Sequence, residues 1–524
     1  MKATRLAEKQ LRSGLVLLLL ALYLFTLGGH LYSGDGLASY ATAWSIVEGK
    51  GGALEDYFSD ARFGLPGRDG HFFSKYGLGQ AVLEIPFVLL VKGLALLNPS
   101  LNADQLGRLL VSSLNGIIVA LSALALYDLV RHLGHAGREV RAALGVALLY
   151  AVGTMAWTYA HLDFSEPVIS LGYIMLARAL FTWRLSPHNG SKLLLAGLWL
   201  ALAITVKVAA GLALLPVLLY ITFVWRYSLT QSKHRVTLLA LLRSFLWLGL
   251  PLVGVGLFVL AYNYYRFGSI SETGYSAIKD QFAAGSIYGG LFGFLFSPGK
   301  SIFLYSPALI LTVFGLRPYF KRGDNRLELG FGLVLFFTYL LFYAFFWNWE
   351  GDWTWGARYL LPTFPFVLLA TVPLFEDLSR ATRRGFYACI CSALLVNALG
   401  LLIQFDQYFL ASYNAGVNQD WRFIPELSPL RGQFYVIASA CSRVFGGPSL
   451  TIDYLQWDAV RVQAVRGVIP LQGYDDFDLW WLRSANTGNW LVALIVGSLL
   501  AVLLWLAWRR FYRAYRRVKE FEQY

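Results

Sequence analysis

Charge is scarce in this chain: 14% of its 524 residues are Asp, Glu, Lys or Arg, against 57% hydrophobic. A soluble core of this length does not need so much apolar surface, so lipid must take up the excess. Cysteine is also rare. Cys389 and Cys391 stand two apart in an apolar run and Cys441 stands alone, a pattern that gives neither a disulfide framework nor zinc spacing. No internal repeat or low-complexity linker is visible, and no phosphate-cradling loop either. The segment Phe296-Ser297-Pro298-Gly299-Lys300-Ser301 has a lysine, with further glycines at 285, 289, 290 and 293, but lacks the strand context and spacing of a Walker motif. The net charge of +13 would suit nucleic acid, yet the cations gather in short loops between apolar runs. That is the positive-inside pattern of a membrane protein, and no nucleic-acid partner is expected.

What is present is a series of apolar runs, such as 15–27, 238–260 and 491–508, approaching the roughly 20 residues that cross a hydrocarbon core. Lys2, Arg5, Lys9 and Arg12 precede the first run, but no convincing small-residue cleavage site follows, so it reads as a retained helix. Letting that helix leave the cytoplasm puts nearly all the short basic loops inside: Arg131 to Arg141, Arg184 to Lys192, Arg226 to Arg235, Arg317 to Arg326, Arg380 to Arg384, and the tail from Arg509 to Lys519. Parity then keeps the apolar stretch 78–97 in the first external loop. The long stretch 193–225, interrupted by Lys207, Gly211 and Pro216, reads as two crossings with a break between them.

The expected fold is an all-α polytopic membrane protein of about twelve transmembrane helices, with external juxtamembrane helices and both termini cytoplasmic. It divides into a transmembrane core over 1–404 that includes the external loop 34–105, an external cap over 405–489, and a last helix with a basic cytoplasmic tail over 490–524. The inner (plasma) membrane is the expected location.

The chemically interesting residues fall on the external side. Ser33-Gly34-Asp35-Gly36 follows the first helix and opens an amphipathic stretch expected to lie along the membrane surface. Asp35 there is either a helix cap or a base facing a substrate hydroxyl. Lys75, in His71-Phe72-Phe73-Ser74-Lys75-Tyr76-Gly77, is an external cation that either snorkels to lipid headgroups or holds an anion. His161, Asp163 and Glu166 cluster where one crossing ends and the next begins; in a helix Asp163 and Glu166 would share a face and reach a common cation or substrate. Their spacing is not a specific metal-ligand pattern, and ordinary loop residues are the alternative. The loop Trp347-Asn348-Trp349-Glu350-Gly351-Asp352-Trp353-Thr354-Trp355 leads to Arg358 and Tyr359. Its tryptophans suit an interfacial belt, and the arginine needs an anion. Lys300 is a further cation beside a membrane entry.

In this order the features resemble the GT-C superfamily of membrane glycosyltransferases, particularly the protein O-mannosyltransferase and lipid A aminoarabinose transferase branch. The acid after helix one, the Phe73-Ser74-Lys75-Tyr76-Gly77-Leu78-Gly79 segment, Glu166-Pro167, Thr205-Val206-Lys207 and Ala357-Arg358-Tyr359-Leu360-Leu361-Pro362 carry the resemblance, over roughly the first 370 residues. It implies inverting transfer of a sugar from a polyprenyl-phosphate donor to a hydroxyl of a glycan, lipid or protein on the external face. Asp35 takes the position of the general base, and Lys75 that of a lysine near the donor phosphate, with Arg358 as a second candidate. Tyr76, His161, Lys300 and Tyr359 are further substrate-binding candidates, and Asp163 with Glu166 a second acidic element. No cofactor is required by this chemistry; a divalent cation is compatible with the acids but not indicated. Two departures stand out: Asp35-Gly36 replaces the usual acidic pair, and Ser74 stands where the aminoarabinose transferases often have an acid. A transporter or flippase of lipid-linked saccharide is the alternative from another functional class, and an O-antigen-ligase-like enzyme a third reading.

Overall fold

The structure is a computed structural model describing residues 2–57, 60, 62–134, 139–231, 238–275, 282, 286–323, 325–375, 380–417, 420–458, 463–486 and 488–522. It is an all-α polytopic fold whose strands, among the described residues, form two small hairpins. Among the described residues eight helices are long and apolar enough to cross a membrane, and Val140–Gly153, Gly190–Val206 and Ile287–Phe296 are shorter apolar helices. The Lys2–Phe25 and Glu166–Arg184 helices run alongside them in the bundle.

Two ends of the bundle can be told apart by their contacts. At one, Arg12 reaches Asp128 at 2.7 Å, Arg131 reaches Glu8 at 3.2 Å, Arg184 reaches Glu328 at 2.5 Å, and Asn325 donates to the Leu133 carbonyl. The start of the first helix and the regions around Arg131, Arg184 and Asn325 therefore share one end. Within the basic loops, Arg138, Lys233 and Arg235 lie outside the described residues. At the other end Lys207 meets Glu166 at 3.0 Å.

The break in 193–225 is real and sits at Lys207. Gly190–Val206 ends there with an extended residue, a 3-10 turn covers Val208–Ala213, and Leu214–Gln231 runs back until Trp225 packs on Trp183 and His188. Two antiparallel passes result, joined at a half-buried cation. The Leu78–Leu97 helix is long enough to span, but it stays at the Lys207 end: Gly77 and Gly79 lie so close to Thr205 that a Cβ on either would clash, and Lys92 stands 3.7 Å from Glu48.

The Gly34–Val47 helix departs from expectation. Instead of lying amphipathically on a surface it is buried along two faces, one packing on Ala81, Val88 and Val111 and the other on Leu54. Its mean apolarity is high because it is covered by the helix and hairpin of its own loop. That hairpin pairs Gly64–Pro66 with Phe72–Ser74 and aims the next residues, Lys75 and Tyr76, across the helix start.

Residues 405–489 carry their own apolar cluster, built on the Asp406–Asn414 and Pro429–Val444 helices and a Thr451–Asp458/Gln463–Pro470 hairpin. The unit is tied down over the Lys207 end. Trp480 and Trp481 donate their indole N–H groups to the Leu24 and Phe25 carbonyls, which have no partner within the first helix. Asp478 accepts from Tyr32 at 2.5 Å, His30 at 2.8 Å and Arg483 at 2.8 Å.

Candidate functional site

Ser33 decides what Asp35 is free to do. The Ser33 hydroxyl accepts from the Gly36 amide at 2.9 Å and so caps the helix itself. The Tyr32 and Ser33 amides are in turn held by Asp163 at 3.2 and 3.1 Å. With the cap filled, Asp35 projects from the first turn, where one oxygen accepts from the Tyr76 hydroxyl at 2.6 Å and the other lies 3.4 Å from Arg358. Its side chain keeps 28% exposure, so an incoming molecule can reach it.

Gly36 is explained by the same geometry. A Cβ at this position would stand 1.7 Å from an Asp163 oxygen, so the approach of Asp163 requires glycine there. Asp163 is almost wholly buried, and burial pushes its carboxyl up to about 7, against the opposing effect of the backbone amides it accepts from.

Asp163 and Glu166 do not act as one acidic face, contrary to the sequence expectation. The helix begins only at Glu166, with Ser165 at its cap, so the i, i+3 spacing is not helical. Asp163 turns to the first loop, while Glu166, 2% exposed, turns to Lys207. Lys207 was legible as part of a motif but not as a site cation. Its ammonium lies 4.7 Å from the Tyr359 ring, which stacks on Tyr343 at 4.3 Å.

Arg358 is buried, with its guanidinium over Phe164 at 4.4 Å and a 3.4 Å contact to the Tyr359 hydroxyl; its Nε has no hydrogen-bond partner. Lys75 donates to the Arg62 carbonyl at 2.6 Å and is ringed by Phe63, Tyr76 and Tyr275 at 5.3 to 5.8 Å. Burial lowers its ammonium below the ordinary lysine value. The segment that carries it is braced by Arg266, which donates to the Ser74 and Tyr76 carbonyls and to Asn263. Arg266 belongs to no motif in the sequence; the signal that marks it is an arginine closing an apolar run on the side where cations are sparse.

Asp35, Lys75, Tyr76, Arg358 and Tyr359 thus gather, with Lys207 and Glu166 beside them. His161 and Lys300 do not join them through any contact. His161 is buried, its Nε2 is unpartnered, and burial lowers its imidazole to about 3, leaving it neutral. Lys300 is fully buried and donates to the Asp352 and Thr354 carbonyls and the Thr354 hydroxyl at 2.7 to 3.0 Å. It secures a loop in which Asp352 adopts a left-handed φ of 62°. All three of its protons are engaged, which leaves none for a phosphate. Among the described residues no three His, Cys, Asp or Glu side chains converge to hold a metal ion.

No family model matches the chain, and no curated protein matches it. Among solved structures it is similar to ArnT from Cupriavidus metallidurans bound to undecaprenyl phosphate, at 12% identity over 97% of this chain and 77% of that one, with a TM-score of 0.48. The apo state of that protein gives 12% identity over 99% and 78%, with a TM-score of 0.46. The Archaeoglobus fulgidus oligosaccharyltransferase in complex with zinc and sulfate gives 12% identity over 77% of this chain and 56% of that one, with a TM-score of 0.42.

Proposed function

We propose that this chain is an integral-membrane glycosyltransferase that moves a sugar from a polyprenyl-phosphate donor to a hydroxyl acceptor at the external face, with inversion at the anomeric carbon. The observation that carries the reading is Asp35: a reachable carboxylate that is spared from capping and held by Tyr76 and Arg358. In this mechanism the acceptor oxygen attacks the anomeric carbon as the bond to the phosphate oxygen breaks. The acceptor proton passes to an Asp35 oxygen, and the polyprenyl phosphate departs with the bonding pair. An alcohol is too weak an acid to ionise first, so the carboxylate must take the proton as the new bond forms.

Inversion puts the leaving phosphate on the opposite side of the reacting carbon from the base. Lys75 suits that role, since it lies near Asp35 without pairing to it. Arg358 contacts the base and orients it, and its charge adds to that of Lys75 in favouring the phosphate. No step requires a cofactor. The acceptor, a glycan, lipid or protein hydroxyl, would enter on the Asp35 side, and neither it nor the sugar is specified by these contacts.

Asp35→Asn keeps the shape of the side chain but cannot accept the proton. Since Ser33 caps the helix, this variant should unfold at the wild-type temperature and bind polyprenyl phosphate normally, while sugar transfer falls on the order of a hundredfold or more. Near-normal transfer by the folded Asn variant would defeat the mechanism.

A further inference from the structure

Far from Asp35, at the end of the bundle that gathers Arg12, Arg131 and Arg184, the last helix carries a second basic constellation. Its apolar run ends at Trp508, and Arg509, Arg510, Arg513 and Arg517 follow within about 12 Å of helix length. These four arginines, with Gln10, Leu506 and Ala514, line a cavity of about 340 Å³ between the last helix and the first. Gly14 lets the two helices close on one another beside it, since a Cβ there would stand 3.0 Å from the Phe511 Cα.

The cavity has an imbalance that the protein does not correct. No carboxylate lines it, and among the described residues none of the four arginines has an ion-pair partner. Arg517 donates to Gln10 at 3.1 Å and Arg510 has a 3.4 Å contact to Ser13, both neutral partners. Guanidinium groups three and four residues apart repel one another, so the arrangement is stabilised by an anion between them. Its position identifies the anion. Arg509 packs on Trp505 at 4.5 Å, and Trp508 stacks on Tyr512 at 5.2 Å, aromatic residues at the boundary of the apolar run where headgroups lie. Leu506, Trp505 and Trp508 are exposed toward that boundary, where acyl chains would sit beneath a phosphate.

We propose that this cavity is a binding site for the phosphodiester headgroup of an anionic phospholipid in the leaflet on the basic side of the bundle. Orphan arginines immediately beyond an apolar helix, between two helices, match the chemistry of such headgroups. The lipid would clamp the last helix to the first, and so anchor the chain segment that follows the 405–489 unit.

The test uses the full chain purified in neutral detergent, with dioleoyl phosphatidylglycerol, dioleoyl phosphatidylcholine or inorganic phosphate added. Phosphatidylglycerol should raise the unfolding temperature by several degrees, and high salt should diminish the rise. Phosphatidylcholine and inorganic phosphate should do little. The variant with Arg509→Gln, Arg510→Gln, Arg513→Gln and Arg517→Gln should lose the rise and retain no anionic lipid by native mass spectrometry. Should that variant fail to fold, Arg513→Gln alone, which removes no hydrogen bond among the described residues, should weaken the rise while Arg513→Lys keeps most of it. An equal rise in wild type and the folded Gln variants would overturn the proposal. So would equal stabilisation by phosphatidylcholine, and a matching effect of inorganic phosphate would reassign the cavity to soluble anions.

Discussion

Single residues in this protein are defined by what their neighbours have already taken. Asp35 is available because Ser33 supplies the cap, and Asp163 is unavailable to a substrate cation because it holds the Tyr32 and Ser33 amides. The same burial gives Asp163 a pH signature. Its folded carboxyl is pushed up to about 7, well above an ordinary aspartate, and burial does the same for Asp406 and Asp478, each also to about 7. A raised carboxyl binds its proton more tightly in the folded state, so the stability it contributes is complete below about pH 4 and is lost as pH rises through about 7. Thermal unfolding should therefore show declining stability across that window. Asp163→Asn should flatten part of the decline, and a pH profile of the variant that superimposes on the wild type would rule out the titration of Asp163 in this range.

At the level of elements, the breaks between helices position the cations. Lys207 is the extended residue between two antiparallel passes, and Arg358 opens a crossing whose first turn is 3-10. Irregular backbone within an apolar bundle is tolerated where protein covers it, and both breaks sit against the candidate site. A run of thirty-odd residues containing Lys207, Gly211 and Pro216 announced the first break in the sequence. What the sequence did not announce is the partner, because Glu166 lies 41 residues away and only the packing of the Glu166–Arg184 helix on Gly190–Val206 brings the two together. Removing one member of a buried pair strands the other. Lys207→Met should accordingly cost up to about 3 kcal/mol, the lower end of the range for buried pairs, since Lys207 keeps 26% exposure. The double variant Lys207→Met, Glu166→Gln should recover part of that loss. Denaturant unfolding of the two singles and the double measures the coupling, and additive losses would mean that the pair contributes nothing as a pair.

For the whole molecule, periodicity and charge bias made the polytopic class and the common end of the basic loops legible, because lipid solvation acts on every apolar run alike. Lys75, Tyr76 and Arg358 were legible for the same reason: a cation or a polar ring at the sparse end of a bundle is conspicuous. Lys300 was equally conspicuous, yet its protons are spent on backbone carbonyls of a loop some fifty residues away, which no local pattern reveals. The two-end arrangement leads to a final expectation about sidedness. Loops that share Arg131, Arg184 and Arg326 should face the cytoplasm, since short basic loops resist translocation. Cys441 is exposed on the 405–489 unit, at the end of the bundle opposite those loops. With Cys389 and Cys391 replaced by Ala, a membrane-impermeant maleimide added to intact cells should label Cys441. In a background that also lacks Cys441, Leu185→Cys and Lys321→Cys, both at exposed positions, should react only after the cells are opened. Labelling of these two sites in intact cells, with Cys441 protected, would invert the molecule and place Asp35 on the cytoplasmic face, where an external acceptor could not meet it.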